Sequence, residues 1–185
     1  TEELREFIEK ADIPCATTFL GLSAVPSNHP LNKGILGMHG NLGPNVMTNQ
    51  CDLLIAVGMR FDDRVTGNLA TYAKQAKIIH FDIDASEFNK NVKIDLGVLG
   101  NCKDTLKAVT ALIDKTKHSS WSNGFEPYKE KEYNKVISKA LYPTEGPLLM
   151  GEVVNKVTEA SGNEAILVTD VGQNQMFSAR YSKFR

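Results

Sequence analysis

Leu53-Leu54-Ile55-Ala56-Val57-Gly58-Met59-Arg60-Phe61-Asp62-Asp63-Arg64 is the stretch that decides the fold. Its first five residues are an uninterrupted apolar run of strand length stopped by a glycine. Strands without polar alternation are those buried on both faces of a parallel sheet. The charged cluster falls where such a strand ends, and ligands of parallel α/β sheets bind there, where turns and helix N-termini point amide N–H groups into a crevice. Two Arg and two Asp within Arg60–Arg64 read either as a salt-bridged surface turn or as a binding segment. Position favours the second, because guanidinium groups suit bidentate contact with phosphate or carboxylate and Gly58 lets a ligand approach the backbone.

Working outward, Lys77–Asp84 is a second apolar strand with acids at its end, and Ile94–Leu99 a weaker third. Toward the N-terminus, Ile13–Leu20 reads as a strand, preceded by the amphipathic stripe Leu4, Phe7, Ile8 and Ala11. A helix is expected after each strand, with Thr105–Ile113 closing the region. Strand and helix then alternate from residue 1 to about 117 as in a doubly wound, mostly parallel, Rossmann-like α/β sheet. Gly21–Gly43 is turn-rich and long enough to suggest function, and it holds Met38 and His39 between two glycines. A short polar helix is expected around Asn45–Gln50. Residues 118–145 are polar with interleaved Trp121, Tyr128 and Tyr133, and read as linker plus surface helix. Residues 146–185 open a second α/β domain, with a helix over Leu148–Ala160 and a strand over Ala165–Asp170 that runs into Val171-Gly172-Gln173-Asn174-Gln175.

Four segments thus map to strand ends: Thr18–Leu22, Gly58–Arg64, Asp82–Asp84 and Thr169–Gln175. Asp82 is placed to accept hydrogen bonds from ribose hydroxyls, as the acid of a dinucleotide site does, while Asp84 or Ser86 fits a helix N-cap. His80, Asp82 and Asp84 lack a regular ligand spacing, so no metal site is expected in this chain. His39, a lone loop histidine, suits positioning better than acid–base work. No GxGxxG, P-loop, GxSxG or HExxH occurs, which removes the usual support for dehydrogenase, nucleotidase and hydrolase readings.

The whole-chain properties narrow the class. Lys plus Arg number 21 against 22 Asp plus Glu, so there is no basic field for nucleic acid or anionic membranes. No apolar run approaches bilayer length and no leader pattern opens the chain, so a cytoplasmic location is expected. Cys15, Cys51 and Cys102 are odd in number and widely spaced, which argues for buried thiols rather than disulfides or zinc. The chain starts without Met in a helical pattern, so it reads as an excised part of a larger protein.

Gly37-Met38-His39-Gly40, Gly58–Gly67, His80–Asp84 and Asp170–Met176, in this order and at these intervals, closely resemble acetolactate synthase (acetohydroxyacid synthase) large subunits over essentially the whole chain. The resemblance implies most of the central domain of a thiamine diphosphate enzyme over residues 1–117, a linker over 118–145, and the beginning of the C-terminal thiamine diphosphate-binding domain over 146–185. It implies that Thr18, Phe19, Leu20, Met38, His39, Gly58, Met59, Arg60, Asp62, Asp82, Ile83 and Met176 line FAD, there mainly structural. Val171, Gly172, Gln173 and Asn174 would lie by thiamine diphosphate, and Arg64 would engage the acceptor carboxylate. The implied reaction condenses two pyruvate, or pyruvate with 2-oxobutanoate, with loss of CO2, on the way to branched-chain amino acids. The main Mg2+ and diphosphate motif and the activating glutamate would lie outside this chain, leaving it inactive alone. A homodimer or tetramer and a regulatory small subunit are further expectations. The chain departs from the family pattern at Asn174, usually His, at Phe177, often Trp, and at Asn101, usually Asp. Rival readings are another FAD-containing thiamine diphosphate enzyme, such as glyoxylate carboligase or pyruvate oxidase, and a non-catalytic dinucleotide-binding module.

Overall fold

A computed structural model describes residues 1–143 and 145–184. Helix α1 (Glu2–Ala11) carries Glu2 and Glu3 in its first turn and Lys10 in its last, the order the helix dipole favours. It ends on Asp12, at φ 49 in the left-handed region, whose N–H returns to Glu9 O. Its buried face of Phe7, Ile8 and Ala11 packs toward α4 (Cys102–Leu112). With Val25, Leu31, Phe81 and Leu106, Phe7 and Ile8 form the main core.

All observed strand pairs are parallel, in two sheets. β1 (Cys15–Thr17) pairs with β2 (Asn32–Ile35), while β4 (Lys77–Asp82) lies between β3 (Leu53–Val57) and β5 (Leu96–Leu99). Five paired residues join β3 to β4, from Leu53 with Lys77 to Val57 with Phe81, and Asp82 is opposite Leu99. A parallel α/β architecture is therefore present, as expected, although the sheet is in two parts. A second core of Ala56, Phe61, Tyr72, Ala73 and Ile78 lies beside the larger sheet.

Several elements differ from expectation. The first strand stops at Thr17, and Phe19–Gly21 turns into a 3-10 helix whose Gly21 N–H bonds Thr18 O at 3.0 Å. The long glycine-rich segment hides β2. Asn-Lys-Gly-Ile has no strand pattern, and the backbone is held instead by Asn41, whose Oδ1 accepts Ile35 N–H at 2.8 Å. The helix expected at 45–50 begins earlier, as α2 (Leu42–Thr48). Full helices do not follow every strand: β3 leads into the four-residue α3 (Asp63–Thr66) and β4 into a 3-10 turn at Ala85–Glu87. Helix α4 begins before Thr105 because Asn101 caps it, accepting Lys103 N–H at 2.9 Å. Asn and Asp serve equally as N-caps, so the departure at Asn101 is silent for the fold.

Residues 119–141 are almost wholly helical: α5 (Ser119–Asn123), α6 (Glu126–Glu132), a π-helical turn over Tyr133–Ile137 and α7 (Ser138–Leu141). Helices α8 (Met150–Ala160) and α9 (Gln173–Tyr181) follow. The strand expected over Ala165–Asp170 is not formed, because among the described residues no strand pairs with it. Ile166 and Val168 are 92% and 90% exposed. An apolar run becomes a strand only when a neighbour accepts its backbone hydrogen bonds.

Candidate functional site

The strand register brings the carboxyl ends of β3, β4 and β5 level. Gly58 N–H continues the ladder to Phe81 O at 2.8 Å, and Gly100 N–H does the same to Asp82 O at 2.9 Å. Gly58 has φ 59, and nothing lies within 4 Å of where a Cβ would project, so the strand end is open to close approach. At the ends of the neighbouring strands Ile83 is 71% exposed and Leu99 59%; Met38, against Arg64, is 59% exposed, and Leu20, in the turn after β1, 88%. Exposed apolar groups gathered at strand ends are what a flat, partly apolar ligand requires.

The turn after β2 joins the charged segment directly. Met38 N–H donates to Arg64 O at 2.7 Å, and an Arg64 guanidinium nitrogen lies 4.0 Å from Met38 Sδ. Gly37 makes this possible: at φ 108, its added Cβ would stand 2.7 Å from Arg64 O. Asn45 fixes the same turn from both sides, accepting Gly37 N–H at 2.9 Å and donating to Gly37 O at 2.8 Å. His39 is exposed beside it.

Within the charged segment the side chains divide by role. Phe61 is 2% exposed and adopts φ 53, unusual for an aromatic residue. Its ring meets His80 edge-on at 5.1 Å and Tyr72 at 6.2 Å. That anchor leaves Arg60, Asp63 and Arg64 facing solvent. Asp62 N-caps α3 by accepting Arg64 N–H at 3.0 Å. The Arg60–Asp62 and Arg64–Asp63 pairs, at 3.5 and 3.9 Å, are exposed and long, so they hold neither guanidinium firmly. Both remain available to an anion.

At the end of β4, Asp82 is buried, and its Oδ1 accepts Asp84 N–H at 2.9 Å. Fully buried His80 places Nε2 3.4 Å from Asp82 Oδ2 without hydrogen-bond alignment. Asp84 performs the capping role, accepting Ser86 N–H at 2.9 Å, and that backbone bond holds its carboxyl below the usual range. Nearby Cys102 is pushed up, chiefly by burial and secondarily by Asp82. Among the described residues, no three His, Cys, Asp or Glu gather as a metal would need.

Thr18 is half-buried, and Phe19 borders a cleft of about 550 Å3 together with Leu22, Leu167, Thr169 and Ala179. This cleft brings the end of β1 beside the approach to Val171–Asn174. Val171, Gln173 and Asn174 are exposed and Gly172, at φ 142, begins α9, with Met176 half-buried one turn on. No direct bond joins them to Met38 or Arg64 among those described. Sequence reasoning missed Leu99, Asn45 and the buried role of Phe61. Only the last left a signal, a lone aromatic inside a charged run. No helix among the described residues is long and apolar enough to cross a membrane.

Residues 1–109 match the family model of the thiamine pyrophosphate enzyme central domain. A probable acetolactate synthase large subunit of Methanocaldococcus jannaschii is 39% identical over 189 residues, covering 99% of this chain and 32% of that protein. An acetolactate synthase large subunit of Buchnera aphidicola is 38% identical over 191 residues, covering 100% and 32%. The chloroplastic acetolactate synthase 2 of Nicotiana tabacum is 36% identical over 190 residues, covering 100% and 28%. The chain thus spans about a third of the length of these curated relatives.

Proposed function

This chain belongs to the thiamine pyrophosphate enzyme family, and from that premise we propose that it is part of an acetolactate synthase catalytic subunit whose strand ends hold FAD. The observation carrying the flavin site is the open Gly58 strand end, with exposed Ile83 and Leu99 at the ends of β4 and β5 and two weakly paired arginines, one of them against exposed Met38. A flavin dinucleotide presents a flat apolar ring and a pyrophosphate, and these residues offer a counterpart to each. Thr18, Phe19, Leu20, Met38, His39, Gly58, Met59, Arg60, Asp62, Asp82 and Ile83 would line it, with Met176 approaching from α9. Val171, Gly172, Gln173 and Asn174 would face thiamine diphosphate.

Bound thiamine diphosphate supplies carbanion stabilisation, with Mg2+ and FAD completing the cofactor set. The protein's task is then orientation. Arg64 projects from a capped helical turn tied to Met38, and its fork would grip the carboxylate of the acceptor 2-oxo acid. Asn174, an amide, can donate and accept hydrogen bonds but does not gain or lose a proton near neutral pH, so its part is hydrogen bonding alone. The central unit would cover residues 1–117, the bridge 118–145 and the thiamine-facing unit 146–185. The intact enzyme would work in the cytoplasm as a homo-oligomer, with a regulatory subunit.

The test is acetolactate formation from pyruvate by the full-length polypeptide, with thiamine diphosphate, Mg2+ and FAD each supplied or withheld. Activity requiring all three supports the reading, and competition with 2-oxobutanoate then ranks the acceptors. A folded, cofactor-loaded protein that forms no acetolactate sinks it.

A further inference from the structure

Glu132 is the last residue of α6, in the middle of the helical bridge, and is only 7% exposed. One carboxylate oxygen accepts Leu42 N–H at 3.0 Å and the Asn41 side-chain amide at 3.3 Å. The other pairs with the Arg180 guanidinium. Leu42 is the first residue of α2, three positions after His39. Arg180 is in the last turn of α9, the helix that starts at Gln173. A single buried carboxylate on a third element therefore joins the turn carrying Met38 and His39 to the helix carrying Gln173, Asn174 and Met176.

Among the described residues, the other hydrogen bonds that tie the α9 region to distant residues fall at the same end. Asn155 Nδ2 donates to Tyr181 O at 3.2 Å, and Ser27 and Phe184 exchange two bonds of 2.9 Å each. All lie at the C-terminal end of α9 or just beyond it, while Val171, Gln173 and Asn174 at the other end are exposed. Because a helix is stiff, a shift at that end is carried along its length. The Glu132–Arg180 contact is the charged member of the set, and removing one partner of a buried pair leaves the other uncompensated. Asn41 also accepts Ile35 N–H through Oδ1 at 2.8 Å, so a disturbance at Glu132 reaches β2 through the same side chain.

We propose that Glu132 is a positioning residue that locks α9 to the 37–41 turn, so that the flavin-facing and thiamine-facing groups move as one body and their ligands bind with linked affinities. The linkage rests on the cofactor assignment above; the lock itself does not. In the full-length protein, flavin affinity is measured by fluorescence titration with and without saturating thiamine diphosphate and Mg2+. The wild type should bind FAD about fivefold or more tightly in their presence, the lower range of ordinary site coupling. Glu132→Gln should bring that factor close to one while each cofactor still binds alone. An unchanged factor in Glu132→Gln, or a wild type with no linkage, overturns the proposal.

The lock is read separately by hydrogen exchange in Arg180→Gln, a residue that touches neither Asn41 nor Leu42 in the bonds above. Faster exchange in residues 40–48 is expected. Exchange there unchanged from wild type, with α9 itself loosened, overturns the lock. If neither cofactor binds the wild type, the functional reading fails, and the exchange result still decides Glu132.

Discussion

Replacing Gly37 and Gly58 separately with alanine compares two glycines that share a positive φ and differ in their surroundings. At Gly58 a methyl group meets nothing within 4 Å at φ 59, so the cost is the left-handed backbone alone, about 1 kcal/mol. At Gly37, φ 108 lies beyond the ordinary left-handed well, and the Cβ would stand 2.7 Å from Arg64 O and 3.2 Å from Val65 Cα. Both are backbone atoms, so a rotamer change cannot relieve the contact. The 37–41 turn must move off α3, and the 2.7 Å bond from Met38 N–H to Arg64 O is lost. Backbone strain of roughly 1–3 kcal/mol plus a net hydrogen bond of about 1 kcal/mol gives about 2–4 kcal/mol. Urea unfolding followed by far-UV circular dichroism, with a slope of about 2 kcal/mol/M, should lower the midpoint by roughly 1–2 M for Gly37→Ala and about 0.5 M for Gly58→Ala. Equal midpoints, or a larger loss at Gly58, would refute the close-approach argument.

Phe61→Ala should cost about 3–5 kcal/mol in the same unfolding measurement, because the ring fills the space between His80 and Tyr72; a loss below about 1 kcal/mol would show that the ring does not anchor the charged segment. Burial pushes the Cys15 thiol from an ordinary 9.0 up to about 11. Its stabilising contribution is complete below pH 9 and disappears as pH rises to 11, about 2–3 kcal/mol in all. Stability measured from pH 8 to 11 should therefore fall less steeply in Cys15→Ala, and parallel curves would remove Cys15 from the alkaline transition. Arg64→Lys in the full-length enzyme should lower kcat/KM for the acceptor about 10- to 100-fold, since an ammonium lacks the planar fork; wild-type kinetics would take Arg64 out of the substrate's reach.

The parallel architecture was legible because the evidence for it is local. Leu53–Val57 and Lys77–Asp82 are apolar runs of strand length, and the helix over 102–112 shows its periodicity without its neighbours. What failed depended on partners distant in sequence. β2 exists through Thr17, whose carbonyl takes Leu36 N–H, and through Asn41. The 165–170 run has strand composition, yet no strand among the described residues pairs with it. The charged segment was recognisable as a candidate site, whereas Glu132 resembled any surface acid on a Lys-rich helix. Its burial depends on Asn41, Leu42 and Arg180, residues 91, 90 and 48 positions away.

The tie between α1 and residues 110–116 bears on the order of assembly. Lys10 Nζ bonds Thr110 O at 2.7 Å, and Thr116 Oγ1 bonds Ala11 O at 2.6 Å across 105 residues. A ribosome adding about 5 to 20 residues per second needs on the order of 5 to 20 s to cover that interval. Throughout it, the apolar face of Phe7 and Ile8 has been made and its covering helix has not. Helix α1 is therefore made before almost everything it packs on and is seated only once α4 has followed it, and until then its apolar face is open to a chaperone.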